Sequence, residues 1–269
     1  MLSDTTIELK NVWKKYSIRD VFHKSLREEF ANLFKKGDRQ GLRKDEFWAL
    51  SDVNITVKKG ECVGICGPNG SGKTTIIKLI ASVTYPNRGE VIVKGRVAPL
   101  ISVSAGFHSD LTGRENIYMN GTIIGMTIRE IRKKIDDIIE FSGIEERFID
   151  MPVKKYSSGM NARLGFSIAV HSEADILLLD EIFAVGDKSF KEKCTQKIKE
   201  IKEKRTLVVV SHDRDRIERI ADRIIFLRKG RIENEYDIRS NSYKFLLTSS
   251  SPWLEDEPGD SRLKRDRGI

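Results

Sequence analysis

A glycine-rich segment at residues 67–75 carries the clearest chemical signal in this sequence of 269 residues. It reads Gly-Pro-Asn-Gly-Ser-Gly-Lys-Thr-Thr, follows the apolar run 62–66 and precedes the helical pattern of 76–81. This context predicts a phosphate-binding loop rather than a merely flexible turn, because curled backbone N–H groups and a helix N-terminus attract an anion. The lysine would reach the outer phosphates, and the first threonine would ligate Mg²⁺. We therefore assign nucleotide contacts to Gly67, Asn69, Gly70, Ser71, Gly72, Lys73, Thr74 and Thr75.

Two acids and a histidine follow buried strands later in the chain. Asp180 and Glu181 end the apolar run 176–179, and His212 comes just after another apolar run at 206–210. Successive residues of a strand point to opposite faces, so Asp180 suits a Mg²⁺ ligand and Glu181 can orient or deprotonate an attacking water. His212 is a candidate to hydrogen-bond the terminal phosphate and the Glu181 carboxylate. Solvent-facing acids and a structural histidine are the alternatives.

A third segment, with small hydroxyl residues, stands at the start of a helical pattern and consists of Ser157, Ser158 and Gly159. The bare N–H groups of such a first turn can take an anion together with the two hydroxyls. An ordinary N-cap is the alternative, since serine is among the residues preferred at that position. Both interpretations remain open from the residues alone.

Composition limits the possible partners and compartments. The chain has 48 lysines and arginines against 40 aspartates and glutamates, a formal net charge of +8. That charge is compatible with an acidic membrane surface or nucleic acid, and equally with an ordinary solvated surface. Cys62, Cys66 and Cys194 lack disulfide-like spacing, which indicates a reducing, cytoplasmic setting. We expect no secretory signal, and no stretch reaches the roughly 18 consecutive apolar residues of a membrane span.

Apolar runs without polar alternation, separated by helical patterns, predict a central parallel sheet. The runs at 62–66, 176–179 and 206–210 are of this kind, and the candidate residues follow their carboxyl ends. Ligands of such folds bind at that edge of the sheet, so the motifs are expected to meet there. The N-terminal stretches 6–12 and 47–57 alternate instead, which predicts further β structure.

A basic insert at residues 17–46 separates those two N-terminal stretches. Its apolar residues recur at spacings of three and four, which predicts one amphipathic helix. They are Phe22, Leu26, Phe30, Leu33 and Phe34. The helix would either pack on its own domain or offer a face to a membrane headgroup layer or a partner helix. Residues 238–269 predict a C-terminal helix and a disordered tail of serine, proline and charged residues.

The ordered set of motifs resembles the ATP-binding-cassette (ABC) ATPases. It comprises the phosphate loop, the Ser-Ser-Gly turn, the acidic strand end at 180–181, the Ala-Val-Gly-Asp segment 184–187 and His212, and the likeness covers nearly all of residues 5–237. The resemblance implies an α/β fold: a RecA-like phosphate-loop core, an N-terminal antiparallel β subdomain and an inserted α-helical subdomain at about 111–172. These parts would form one ABC ATPase domain over residues 1–237, with ATP and Mg²⁺ as its cofactors.

The resemblance also implies how the site is assembled. Two copies would face head to tail, with each ATP held between the phosphate loop of one copy and the turn at Ser158 of the other. Tyr16 falls where the family has an aromatic residue that stacks on adenine, and Asp187 is assigned to the same nucleotide site. Glu181 and His212 would be the catalytic residues.

Several details are similar to one branch of the family, the ATPase subunits of bacterial exporters for lipid-linked polysaccharides such as O antigens and wall teichoic acids. They are Tyr-Ser-Ser-Gly-Met at 156–160, Gly-Phe-His at 106–108, Phe190 and Cys194 after Asp187, and the basic insert. The sequence also departs from the family pattern. Ser158 and Met160 stand in place of a glycine and a glutamine, and the loop 102–110 has no coupling glutamine, with Ser104 and His108 as candidate replacements.

The sequence therefore predicts the ATP-hydrolysing subunit of an ABC exporter. It would bind as a homodimer to two copies of a separate transmembrane permease, peripherally at the cytoplasmic face of the plasma membrane, and drive export of an O-antigen or teichoic acid type polymer. The alternative is a non-transport ABC ATPase that acts on nucleic acid or ribosomes. Such proteins usually hold two cassettes or a long coiled coil, whereas this sequence shows one cassette and no sustained heptads, so no nucleic acid partner is expected.

Overall fold

The computed structural model describes residues 4–17, 45–100, 106–180, 187–211 and 217–238. The predicted insert helix and the C-terminal tail lie outside these ranges, apart from their edges. Glu181, His212, Ser104 and the segment 184–186 lie outside them as well.

The N-terminal part forms a three-stranded antiparallel sheet. Strand β1 (Thr5–Ser17) is its centre and pairs with β2 (Glu46–Lys58) on one side and β4 (Arg88–Val93) on the other. Buried residues alternate with less buried ones along β1 and β2, so one face of the sheet is buried in the core and the other faces outward. Both predicted N-terminal β stretches are thus confirmed, and β1 is longer than its sequence signal.

A second sheet of six strands forms the centre of the molecule, in the order β5-β6-β7-β3-β8-β9. Its members are β3 (Cys62–Cys66), β5 (Val97–Leu100), β6 (Ile176–Asp180), β7 (Thr206–Val210), β8 (Arg223–Arg228) and β9 (Arg231–Asp237). Neighbouring strands are parallel except for the hairpin of β8 and β9. The predicted central parallel sheet is confirmed, and its inner strands β3 and β7 are buried at every residue because helices and the small sheet cover both faces.

The helices pack in two regions of the molecule. Helix α1 (Lys73–Ile80) follows the phosphate loop, while α5 (Ser158–His171) and α6 (Lys188–Lys202) pack on the opposite face of the six-stranded sheet. Helices α2 (Gly113–Ile123), α3 (Ile128–Ser142) and α4 (Glu146–Ile149), followed by a 3₁₀ turn at Val153–Lys155, form a separate helical region. Their apolar sides build a cluster of their own, which also takes in Met160, Leu164 and Ile168 of α5.

Local sequence explains where the two long helices of this region begin. Thr112 caps α2 and Thr127 caps α3, and in each case a glutamate three residues later bonds back to the threonine amide. These are complete capping boxes, which satisfy two orphan N–H groups at each helix start. The bond from the Thr127 amide, with Arg96 nearby, lowers the pKa of the Glu130 carboxyl to about 2. Thr127 and Glu130 have the spacing that is the sequence signature of this motif.

Candidate active site

The phosphate loop lies between the end of β3 and the start of α1, as the sequence predicts. Gly72, the last residue before α1, has φ of 108°, a conformation that L side chains rarely adopt. A Cβ atom there would lie 2.6 Å from a Leu50 methyl group and 2.7 Å from the Ala49 carbonyl oxygen. The small antiparallel sheet therefore packs directly on the phosphate loop, and glycine is needed for this close approach.

The side chains of Lys73 and Ser71 give the loop its anion-binding character. The Lys73 ammonium is buried beneath the loop and donates to the carbonyls of Gly67, at 2.7 Å, and Pro68, at 2.9 Å. The Ser71 hydroxyl is buried too, and it has no hydrogen-bond partner within the described parts of the chain. A buried hydroxyl without a partner is costly, and a phosphate oxygen in the loop would satisfy it. The residues present thus fit a bound triphosphate.

The turn between β8 and β9 supports the loop from behind. The Gly230 amide donates to the Ser71 carbonyl at 3.0 Å, and the Gly230 carbonyl accepts from the Ser51 amide at 2.8 Å. Gly230 has φ of 76°, and a Cβ atom on it would lie 2.7 Å from the Ala49 carbonyl oxygen. The lysine and glycine at 229–230, between two β stretches, are typical of a hairpin turn, but no sequence pattern indicates that the hairpin touches the phosphate loop.

Three strand ends meet at the edge of the sheet that carries the loop. Strand β7 lies between β6 and β3, Asp180 pairs with Val210, and the Ser211 amide donates to the Ile65 carbonyl at 3.4 Å. Two strand spacings, about 10 Å, separate the end of β6 from the loop. Asp180 therefore lies on the same edge as Thr74, the exposed residue in the first turn of α1. Mg²⁺ usually keeps several waters and takes one or two protein ligands besides phosphate, so this donor set fits that ion.

The two residues assigned to catalysis follow strands that end at this edge. Glu181 comes directly after β6, and His212 comes one residue after Ser211. Both side chains lie outside the described residues, so their roles remain predictions.

The Ser-Ser-Gly turn is the N-terminus of α5. Ser157 is the N-cap, and its hydroxyl accepts from the Met160 amide at 3.1 Å. The alternative of an ordinary N-cap is therefore confirmed for Ser157, while the first amides of a helix still have no intrahelical partner and suit an anion. Tyr156 and Met160 pack in the helical cluster, whereas Leu50 beside the phosphate loop belongs to a different cluster. The chain by itself keeps these two motifs in separate packing regions.

Tyr156 holds this turn in position. Its hydroxyl donates to the Phe148 carbonyl at 2.8 Å, and burial raises its pKa to about 12. The ring also fills the space beside Gly113, where any Cβ atom would clash with the tyrosine oxygen. The start of α5 is thus fixed to the helical region rather than to the sheet.

The remaining assigned residues lie on two other elements. Tyr16 is near the end of β1 and pairs with Phe47 of β2, with ring centroids 6.3 Å apart and planes inclined by 42°. The Lys14 ammonium lies 5.2 Å from the centre of the Tyr16 ring. Asp187 is the N-cap of α6, and its carboxylate accepts from the Phe190 amide at 2.9 Å. This cap gives Asp187 a structural role, and a contact with nucleotide remains a prediction.

Two clefts of the described structure lie away from the phosphate loop. Two open clefts, of about 340 and 410 Å³, are found at the amino ends of β3, β7 and β8, on the edge opposite the phosphate loop. Burial raises the pKa of Cys62 and of Cys194 to about 12, which suits core residues and not nucleophiles. All three cysteines are buried free thiols.

Comparison with known proteins shows to which family this chain belongs. The profile of the ABC transporter family matches residues 50–184, which include the phosphate loop, the Ser-Ser-Gly turn and Asp180. This chain belongs to the ABC transporter family. The predicted ABC ATPase fold and activity are confirmed with it. A dimeric structure of the ATP-binding cassette MJ0796 in a post-hydrolysis state, bound to ADP and Pi, matches with a TM-score of 0.70 and 26% identity, over 87% of this chain and 100% of that one.

Two relatives show which branch this ABC ATPase is similar to. The O-antigen export system ATP-binding protein RfbB of Klebsiella pneumoniae is 41% identical, over 85% of this chain and 92% of the relative. The teichoic acids export ATP-binding protein TagH of Bacillus cereus is 40% identical, over 93% of this chain and 45% of the relative. Among the described residues, no helix of this ABC ATPase combines the length and apolar character needed to cross a membrane.

Proposed function

We propose that this ABC ATPase is the energy-supplying subunit of an exporter that moves a lipid-linked polysaccharide across the cytoplasmic membrane. The observation that carries the proposal is the similarity to an O-antigen export ATP-binding protein along nearly the full length of both chains. The similarity to a teichoic acid export protein agrees with it. A nucleic acid or ribosomal role is not favoured, because the charge of +8 is its sole support in the chain.

ATP binding in this proposal uses the loop at 67–75. Its amides and the N-terminus of α1 surround the β- and γ-phosphates, the Lys73 ammonium neutralises them, and the Ser71 hydroxyl gains the partner that it lacks within the protein. Thr74 and Asp180 would hold Mg²⁺, which would offset the negative charge of the phosphates. Tyr16 would stack on the base, which contributes affinity without strong selection of the base.

Hydrolysis in this proposal depends on the residues that follow β6 and β7. Glu181 accepts a proton from the attacking water, and His212 hydrogen-bonds the γ-phosphate and the Glu181 carboxylate. The water oxygen then bonds to the γ-phosphorus as the bond to the ADP oxygen breaks. ADP and inorganic phosphate are the products.

The complete site in this proposal needs two copies of the chain. The N-terminus of α5 of one copy, with Ser157, Ser158 and Gly159, would bind the phosphates held by the loop of the other, and Asp187 would lie at the same interface. The separate packing of these two motifs within one chain supports the arrangement. The homodimer would bind two permease subunits through the loop 102–110 at the cytoplasmic face of the membrane, where closure and reopening drive transport.

Replacing the general base tests the enzymatic part of the proposal. We expect Glu181→Gln to bind Mg-ATP with unchanged affinity and to hydrolyse it on the order of 100-fold more slowly, because the amide cannot accept the proton. The variant should accumulate as an ATP-bound dimer in size-exclusion chromatography. Glu192→Gln, the same change at an exposed position of α6, is the control and should hydrolyse ATP normally. Near-normal turnover of Glu181→Gln would refute the assignment of the base.

Genetic replacement tests the cargo. In the source organism, loss of the chain should remove the surface polysaccharide and leave its lipid-linked precursor inside the cell. The wild-type chain should restore export, and Lys73→Ala should not. Normal surface polymer in the Lys73→Ala strain would contradict the proposal, and recovery of the protein with RNA rather than membranes at moderate salt would favour the alternative.

A further inference from the structure

An exposed aromatic residue lies beside the predicted base site. Phe47 leaves 49% of its surface exposed at the start of β2, next to Tyr16. We propose that Phe47 is a second base-contacting residue, which together with Tyr16 forms a two-ring wall for the purine of the bound nucleotide. The inference rests on the proposed function, in which ATP binds at the phosphate loop with its base toward Tyr16.

The pairing of β1 and β2 places both rings on the face that leads to the phosphate loop. Tyr16 lies opposite Phe47, and Lys14 lies opposite Leu50. Directly opposed residues share a face of the sheet, as do residues two apart in one strand. Phe47, Tyr16, Lys14 and Leu50 are therefore neighbours on one surface.

An irregularity in the strand makes this arrangement possible. Phe47 and Leu50 are three residues apart, so in a regular strand they would point to opposite faces. The register of β1 and β2 shifts between Lys14 and Lys15, which brings Phe47 back to the Leu50 side. Trp48 consequently lies on the other face, where its ring is 5.2 Å from that of Trp13.

The distance along this face suits a nucleoside triphosphate. Leu50 touches the phosphate loop at Gly72, and Phe47 is three residues farther along β2, about 10 Å away. That separation is comparable to the span from the terminal phosphates of ATP to its base. A nucleotide whose phosphates occupy the loop therefore brings its base to the ring pair.

The geometry of the two rings suits a planar base of purine size. Their centroids are 6.3 Å apart and their planes are inclined by 42°, so they form two adjacent walls rather than a stacked pair. A bicyclic base can stack on Tyr16 and still reach the exposed ring of Phe47, whereas a pyrimidine is too small to contact both. The Lys14 ammonium, which donates to the Tyr85 carbonyl at 2.9 Å, steadies the Tyr16 ring by a cation–π contact. Phe47 is thus a determinant of purine preference.

Binding measurements on the full chain test this role with ligands that differ in the base. We would measure the dissociation constants of ADP, UDP and inorganic pyrophosphate for Phe47→Ala, Phe47→Leu and Phe47→Tyr. Loss of one base–aromatic contact should weaken ADP binding about tenfold in the alanine and leucine variants. UDP should change far less, pyrophosphate should not change, and the tyrosine variant should restore ADP affinity. Ile123→Ala, which truncates another exposed apolar side chain, is the control and should match wild type.

The outcomes separate this inference from the proposed function. Wild-type ADP affinity in Phe47→Ala and Phe47→Leu, with weakened binding in Tyr16→Ala, would overturn the role of Phe47 and leave ATP binding at Tyr16 intact. An equal loss of ADP and pyrophosphate affinity would overturn it too, because Phe47 would then act through the loop and not on the base. Failure of the wild-type chain to bind any of the three ligands would refute the proposed function itself.

Discussion

The backbone amide of Gly230 is hydrogen-bonded to the carbonyl of Ser71, so the last hairpin of the sheet supports the phosphate loop. The same glycine accepts a hydrogen bond from the Ser51 amide, and its turn is pressed against the backbone of Ala49. Gly230 thus joins three segments that are far apart in sequence: the N-terminal sheet, the phosphate loop and the β8–β9 hairpin. The position of the loop relative to the N-terminal sheet depends on this turn.

Gly230→Ala should therefore weaken nucleotide binding, although residue 230 has no contact with nucleotide in the proposed site. An alanine at φ of 76° costs about 1–2 kcal/mol, and its methyl group would in addition push against Ala49. Gly60→Ala is a matched control, because Gly60 has the same φ of 76° and open space around it. Both variants should lose unfolding free energy, and Gly230→Ala alone should bind ATP at least several-fold more weakly. Equal ATP affinity in the two variants would contradict the supporting role.

Ser71→Ala should raise the stability of the ligand-free protein and lower its affinity for ATP. The buried hydroxyl lacks a partner within the described protein, and such a group costs about 1–3 kcal/mol, so its removal should raise the unfolding free energy of the ligand-free protein. ATP affinity should fall, since a phosphate oxygen loses its hydrogen bond. Ser167→Ala is the control: its buried hydroxyl donates to the Arg163 carbonyl at 2.7 Å, so stability should fall by about 1 kcal/mol with no change in affinity. Urea unfolding and calorimetric titration measure both quantities.

Lys193→Met should loosen the contact between the helical region and α6. The Lys193 ammonium donates to the Phe141 carbonyl at 3.1 Å, at the C-terminal end of α3, and lies 4.5 Å from the centre of the Phe141 ring. A cation at a helix C-terminus and over an aromatic ring stabilises the fold by about 1 kcal/mol. The free energy of unfolding, measured in urea, should therefore fall by that amount. Lys197→Met, one turn farther along α6, removes a 3.9 Å surface ion pair and should change stability little. Equal effects of the two substitutions would argue against the Lys193 contact.

His171 should make the protein less stable in mild acid. Burial against Phe141 lowers the pKa of its imidazole below the ordinary value of 6.5, and Nδ1 lies 2.8 Å from the Ser167 carbonyl. As pH falls below about 6.5 the unfolded chain takes up a proton that the folded chain resists, so the unfolding free energy decreases. His171→Gln should flatten this dependence between pH 7 and pH 5.5, measured by urea unfolding at each pH. An unchanged slope in His171→Gln would contradict the assignment.

The three cysteines should be unreactive in the folded protein. Cys62, Cys66 and Cys194 are buried free thiols, and burial raises the pKa of Cys62 and Cys194 to about 12. Thiolate is the reactive form, so a disulfide reagent at pH 8 should label none of them within minutes. The same reagent should label all three in denaturant. Rapid labelling of native protein would show that the core around β3 or α6 opens readily.

Much of the site was determined by the sequence alone, because its parts are short local patterns. Glycines at fixed spacing between a strand and a helix predict a phosphate loop, and apolar runs followed by Asp180 or His212 predict strands whose ends carry polar groups. Parallel strands then have to bring those ends to one edge, as is found for Asp180 and the loop. The N-cap of α5 and the capping boxes of α2 and α3 are equally local.

The tertiary structure decided the contacts between distant segments. No local pattern links Gly230 to Ser71, because their hydrogen bond depends on how a terminal hairpin packs against the loop. The shared face of Phe47 and Leu50 depends on a register shift between two strands, and alternation along one strand would have predicted the opposite. Register and packing arise from the sum of many long-range contacts, so these relationships become visible only in the folded chain.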